Sequence, residues 1–436
     1  MFSKIKARYR GLGPFFVLWS TQSLSALGSA MTSFALVVWS YQQWGSALST
    51  GLLSVCSYAP YVALSIFSGA LSDRWDKRKT MLLCDSAAAF CTLCALALLS
   101  TGRLAMGHLY LLNAVSGLMN TFQQPASDVA VSLLVPREQY HQVSGLRALS
   151  NSLVTVLAPI LASAVFAFGG LGAVIAVDLS TFAVAAAALC LAVRLPHTAA
   201  ETGPREPTWQ VAKAGLVFLA QNRGVLHLIL FLAAINLTAS MYNAALPALL
   251  LSRAGGGEVA LGLVNTCAGL ANLVGSAAVS LAPAPKSRVR VIMGALLFSM
   301  STENLLLSLG RGLPVWCLGS VLGWLCIPAM NANLDVLLRL HIPVEMQGRV
   351  YSVRNALQFF TIPLGYLAGG ALVDGVCEPL MAAQPACSPL HLLFGEGKGA
   401  GAALLFFFLA ALGVGTCLLF RRSRAIWALE ERPPRR

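Results

Sequence analysis

Between two apolar runs, 52–71 and 81–100, the chain packs Asp73, Arg74, Asp76, Lys77, Arg78 and Lys79 into one short connection. Charge this dense cannot enter hydrocarbon, so the connection lies at a membrane face and the flanking runs cross the bilayer. Its cations make that face the cytoplasmic one by the positive-inside bias. Gly69, just before the knot, lets two helix ends approach closely, and Asp73 can neutralise the positive end of a helix docking beside it.

The rest of the chain repeats this arrangement. A span needs roughly 20 apolar residues, and about twelve such runs fit into the 436 residues. They fall at 14–41, 47–72, 80–101, 106–127, 140–169, 172–193, 225–251, 258–282, 290–310, 313–338, 347–375 and 399–420. Only 11% of the residues are charged, against about 25% in a soluble domain. The net charge of +13 is a matter of topology: of the 30 Lys and Arg, all but Arg103, Arg253, Arg311 and Lys398 fall on inner segments. Nucleic acid is thereby excluded as a partner, and both termini are expected in the cytoplasm of a cell with this protein in its inner (plasma) membrane.

Residues 195–213 are the long polar, Pro-rich interruption, and they divide the chain into two six-span halves. The expected organisation is a first half at 1–194, a cytoplasmic linker at 195–224 with an amphipathic helix over 209–222, a second half at 225–420, and a basic tail at 421–436. That tail reads as a solvated or headgroup-binding anchor. The halves repeat at an offset of 207 residues, which carries Asp128 onto Asp335, Pro136 onto Pro343, Glu138 onto Glu345 and Arg147 onto Arg354. Parallel repeats with a centre at their interface are an architecture of alternating-access carriers.

Gly69-Ala-Leu-Ser-Asp73-Arg74-Trp-Asp76-Lys77-Arg78-Lys79 resembles the signature loop between helices two and three of the major facilitator superfamily. Asp76 stands where most of that superfamily has a second glycine. The stretches 121–139, 175–182 and 342–352 resemble the branch containing macrolide efflux proteins and the enterobactin exporter. The resemblance covers about 10–420. It implies an all-α polytopic membrane protein of twelve transmembrane helices in two pseudo-symmetric halves. It also implies export of small molecules, usually driven by the proton gradient. The branch's antiporter signature in span five is reduced here to Ala158-Pro159-Ile-Leu-Ala162.

Several residues are candidates for the transport cycle. Asp128 lies some 30 Å down span four, at the depth of Arg74 and Arg78, so an ion pair there can clip an inner gate. Asp335, Arg147 and Arg354 are the related gating charges; the alternative for all of them is interfacial charge that fixes topology. Asp178 and Glu303 sit about two turns below the outer face, where an isolated carboxyl costs a few kcal/mol and can exchange a proton. Both read as proton-coupling candidates or as structural carboxyls that bond a neighbouring helix. Asp85 lies nearer the inner face.

If the family fold holds, the cavity is lined by spans 1, 4, 7 and 10 with help from their neighbours. Its candidates are Trp19, Gln22, Asn113, Gln123, Asn236, Tyr242, Asn333, Gln358 and Phe359, each alternatively an interhelical hydrogen bond worth about 0.6 kcal/mol. Few fixed charges and several aromatics suit an amphiphilic organic molecule.

No HExxH, GxSxG or P-loop occurs, and the histidines are scattered, so neither an enzyme nor an ATP-driven pump is expected. No cofactor or metal is expected, since Cys91 and Cys94 form a CxxC inside an apolar run. Cys377 and Cys387 share a predicted outer loop and can pair if that side is oxidising. The reading is a monomeric, proton-coupled exporter of drug-like or siderophore-like molecules, a multidrug or antibiotic-resistance carrier. The alternative is a lysophospholipid or other lipid carrier on the same fold.

Overall fold

The computed structural model describes residues 13–72, 76–136, 139–191, 208–385 and 388–431, and every regular element among them is helical. Asp73, Arg74, Cys387, most of the linker and 432–436 lie outside the described residues. In chain order the helices are α1 (Gly13–Trp44), α2 (Ala47–Ser72), α3 (Lys77–Ser100), α4 (Met106–Leu134), α5 (Tyr140–Leu191) and α6 (Thr208–Gln221). There follow α7 (Arg223–Ser252), α8 (Glu258–Leu281), α9 (Arg288–Leu309), α10 (Leu313–Leu325), α11 (Ile327–His341) and α12 (Val344–Phe359). The last are α13 (Thr361–Leu372), α14 (Glu378–Ala382), α15 (Pro389–Phe394), α16 (Ala400–Arg421) and α17 (Arg424–Glu431).

Among the described residues, 10 helical stretches are long and apolar enough to cross a membrane. Two features separate that number from the expected dozen. Gly145–Leu191 is one stretch of 47 residues, more than twice what a bilayer needs, and it is broken at Gly170 (φ 62°, ψ −165°). That left-handed backbone suits glycine, and it falls between the predicted spans five and six. Helix α4 is helical throughout, but a polar stripe lowers its hydropathy. Two predicted spans are instead pairs of helices: Pro328 opens α11 after a break at Cys326, and α12 gives way to α13 at Phe360, ahead of Pro363. Proline lacks the N–H that would continue the helical ladder.

The chain forms two compact units, one comprising Met1–Trp39 and Cys56–Pro204, the other Ser40–Val55 and Arg205–Arg436. In the first, Leu18, Met81, Ala126, Ala130 and Leu189 bring α1, α3, α4 and α5 into one buried cluster. Gly28 lets α1 approach the backbone of Asp178, and Gly117 lets α4 approach the carbonyl of Ser57; a Cβ at either would collide. Asp76, the residue standing in place of a glycine, caps α3: its carboxylate accepts from Lys79 N at 2.9 Å.

The second unit is built on a larger core, with Phe231, Ile292, Leu296, Leu334, Leu338 and Val350 among its buried members. Here carboxylates again meet helix N-termini. Asp374, in a π-turn over Val373–Cys377, accepts from Ala47 N (3.0 Å), Leu48 N (2.9 Å) and Ser46 Oγ (2.7 Å) at the start of α2. Glu378 accepts from Gly399 N (2.9 Å) at the start of α16. Tyr41 bonds Ser252 Oγ at 2.7 Å, so the connection from α1 to α2 is held inside this unit. Cys377 is buried and unpaired.

The described part of the segment after α16 is packed and not free in solvent. Residues 424–431 form α17, with Ile426 and Leu429 buried in the unit's core. Glu430 accepts from Val289 N (2.7 Å) and Ser287 Oγ (2.8 Å), closing the N-terminus of α9. Helix α6 also docks: Gly215 lies against the Arg349 carbonyl of α12 with no room for a Cβ.

The Glu430 bonds give a stability prediction. Glu430→Ala removes a helix cap and lowers stability by about 1 kcal/mol, and by loosening α17 it speeds tryptic cleavage at the exposed Arg421, Arg422 and Arg424. Glu430→Gln, which retains an acceptor, stays close to the parent. Thermal melting in detergent and limited proteolysis read both effects.

Candidate functional site

Within the first unit a polar cavity of about 320 Å³ opens among α1, α3, α4 and both segments of α5. That volume is at the lower end of what small organic ligands occupy. Each helix contributes one stripe at helical spacing. Leu18, Gln22, Ser25 and Ser29 face it from α1, and Asp85, Ala88, Ala89 and Thr92 from α3. Asn120, Gln123, Gln124, Ser127 and Val131 face it from α4. Residues three and four apart share a helix face, so these sequences align their polar groups on one side. Arg147, Ser150 and Asn151 come from the first segment of α5; the break at Gly170 turns the second segment so that Asp178 and Phe182 join them.

Two carboxyls lie in this wall. Asp85 is buried and accepts from Gln22 Nε2 (3.1 Å) and from Gln123 Nε2. Asp178 is buried and accepts from Ser29 Oγ at 3.1 Å. The donors are neutral amides and a hydroxyl, which can bond either charge state of a carboxyl after local rearrangement. Trp19 edges the cavity, packs edge-on to Phe16 at 6.3 Å, and its buried indole N–H has no acceptor among the described atoms. Arg147 on the rim pairs with Asp128 of α4 at 2.5 Å.

The structure therefore gathers Trp19, Gln22, Gln123, Asp178 and Arg147 at one cavity. Asn113 is elsewhere and donates to Leu109 O of its own helix. In the second unit Asn236 donates to Gln358 O (3.4 Å), and Arg354 Nε bonds Gln358 Oε1 (3.2 Å). Asn333 bonds Ala329 O within α11, and Phe359 ends α12. Tyr242 is buried against Phe406, ring centres 5.2 Å apart. Glu303 accepts from Trp324 Nε1 at 3.1 Å, and Tyr242 bonds the same carboxyl.

Of the charges expected at the inner gate, Asp73 and Arg74 lie outside the described residues, and the others are placed as follows. Arg78 donates to the carbonyls of Leu189 (3.1 Å) and Cys190 (2.6 Å) at the end of α5, while Asp128 takes Arg147 as its partner. A cation there complements the negative end of the helix. Asp335, the repeat mate of Asp128, pairs with Arg339 one turn along its own helix at 2.8 Å. Gly69 lies in the last turn of α2. Asp85 did not rank among the sequence candidates; the signal was present, as an acidic residue in an otherwise uncharged run that shares a stripe with small side chains.

The Major Facilitator Superfamily profile matches residues 18–365. Macrolide efflux protein A of Streptococcus pyogenes is 23% identical over 368 residues, covering 83% of this chain and 90% of that one. The enterobactin exporter EntS of Citrobacter koseri is 27% identical over 370 residues, 82% of each chain. Among solved structures, a bacterial homologue of the iron transporter ferroportin in an inward-facing state aligns with a TM-score of 0.66 at 15% identity, over 96% of this chain and 98% of that one. The nucleoside transporter NupG aligns with a TM-score of 0.65 at 11% identity, over 93% and 100%. At these identities the likeness is one of fold.

The geometry sets two expectations. Asp85→Leu leaves the amides of Gln22 and Gln123 without their acceptor, at about 1–3 kcal/mol for each buried group, whereas Asp85→Asn retains one; melting curves separate the two. The Asp128–Arg147 pair is one-third to one-half exposed, so a double-mutant cycle should return a coupling below about 1 kcal/mol in stability. A large loss of activity in Asp128→Asn with unchanged melting then assigns the pair to function.

Proposed function

The chain belongs to the major facilitator superfamily, and from that premise we propose that it exports small amphiphilic organic molecules by alternating access, exchanging them for protons. It is a membrane transporter and not an enzyme. The observation that carries the proposal is the polar cavity of the first unit: amides, hydroxyls, an indole and a phenyl ring around two buried carboxyls. Such a wall suits a molecule with scattered hydrogen-bonding groups on an apolar frame, and offers little to a multivalent anion. The names of the efflux relatives point the same way.

Asp178 and Asp85 are the proton-carrying groups of this reading, since both border the space the substrate would fill. A substrate amine or a proton can then be taken up by one carboxyl at a time, which is the exchange an antiporter requires. Glu303, bonded to Trp324 and Tyr242 away from that space, is a secondary candidate. The charges at the helix ends, Asp128 with Arg147 and the knot from Gly69 through Asp73, Arg74 and Arg78, form and release the inner gate, with Asp335 and Arg354 as their mates. The protein works as a monomer in the bacterial inner membrane with both termini cytoplasmic.

The test is drug susceptibility of an efflux-deficient bacterium expressing the chain, over a panel of macrolides, dyes and siderophores, with and without a protonophore. The expected outcome is several-fold resistance to at least one amphiphile, lost with the protonophore and in Asp85→Asn or Asp178→Asn at equal protein level. Resistance that survives both substitutions removes the carboxyls from the coupling step. Unchanged susceptibility throughout, with protein in the membrane, overturns drug export in favour of lipid transport, which lysophospholipid uptake then measures.

A further inference from the structure

Arg253, Arg311 and Lys398, three of the four cations that the charge bias leaves on the outer face, line one pocket of about 840 Å³ within the second unit. Topology alone would disperse or remove cations on that face. They arrive from separate places: Arg253 follows α7, Arg311 follows α9, and Lys398 precedes α16. Arg253 donates to Gly310 O (2.9 Å) and to Phe394 O, and Arg311 donates to Leu392 O. These bonds occupy only part of each five-donor guanidinium fork. Lys398 Nζ stands 5.9 Å from the centre of the Tyr41 ring.

The pocket carries surplus positive charge. Glu396 also borders it and offsets one cation. Burial, and then the charge of Arg311, push the Arg253 guanidinium below its ordinary pKa, while Glu378 acts in the opposite sense. A second feature points to a lipid boundary. Helix α15 leaves Leu392 at 74% and Leu393 at 51% exposure beside the pocket, and Leu309 adds a further exposed side chain.

We propose that this pocket binds a phosphate group, gripped by Arg253, Arg311 and Lys398, with the exposed leucines of α15 placed to meet the acyl chains when that group belongs to a lipid. Guanidinium forks match phosphate oxygens two at a time, and each such bond is charge-assisted. The free anion and the lipid headgroup share this chemistry and differ only in the use of the leucines.

The experiment uses the full chain purified in a neutral detergent. Its melting temperature is followed with phosphatidylglycerol, with diacylglycerol of the same acyl chains, and with inorganic phosphate at matched ionic strength. The expected result is a rise with phosphatidylglycerol that exceeds the rise with diacylglycerol and shrinks in Lys398→Gln and Arg311→Gln. Inorganic phosphate giving a rise that both substitutions abolish supports the same site with a free anion as its occupant. Equal rises with the two lipids and none with phosphate overturn the proposal, as does a phosphatidylglycerol-specific rise that persists in both variants. If Arg311→Gln loosens the loop it holds, Lys398→Gln carries the test, because its contact is a ring face and not a backbone carbonyl.

Discussion

The first N–H groups of a helix have no partner within the helix, so wherever one begins, water or a side chain must accept from them. This chain has only 17 acidic residues, and several of them answer that need. Asp76 closes α3, Asp374 closes α2, Glu378 closes α16 and Glu430 closes α9. A carboxylate also meets the positive end of the helix dipole, an effect of about 0.3–1 kcal/mol at exposed sites and up to about 2 when partly buried. The acceptors come from far along the chain in three of these cases, so they fasten helices to one another as well as ending them.

The same economy of polar groups makes the cavity informative. A buried carboxyl without donors is costly, and Asp85 and Asp178 are each supplied by side chains of a different helix. These bonds hold α1, α3, α4 and α5 in register while leaving the carboxyls at the edge of open space. The carboxyls assigned to transport under the proposal above are therefore also the ones that stabilise the unit, and substitutions that keep hydrogen bonding while removing charge are the informative ones.

Much of this was written in the sequence. The gap between the spans expected at 140–169 and 172–193 coincides with the break at Gly170, and the stripe Asn120, Gln123, Gln124 and Ser127 could be read at helical spacing. Gln22, Trp19 and Asp178 were legible for the same reason, as polar groups in runs that otherwise avoid them. What local pattern could not give was pairing over distance. Nothing near Asp128 says that it takes Arg147 where Asp335 takes Arg339, because that choice depends on how α4 and α5 face each other. The break at Cys326 and the π-turn around Asp374 were hidden by runs apolar enough for single helices. In the tail the arginines dominate the composition, while among the described residues Ile426 and Leu429 carry the packing.

Helix α2 has one further consequence. Its first turn is closed by Asp374, a residue some 326 positions later in the chain, and residues 40–55 pack with the second unit although they are made with the first. During synthesis that hairpin emerges long before its acceptors exist. Until nearly the whole protein has been made, the first turn of α2 has only its local cap, Ser46 Oγ accepting from Ser49 N at 3.0 Å. Maturation of this carrier thus ends near its beginning, and a ribosome stalled before residue 374 leaves a product whose unfinished part is the one made first.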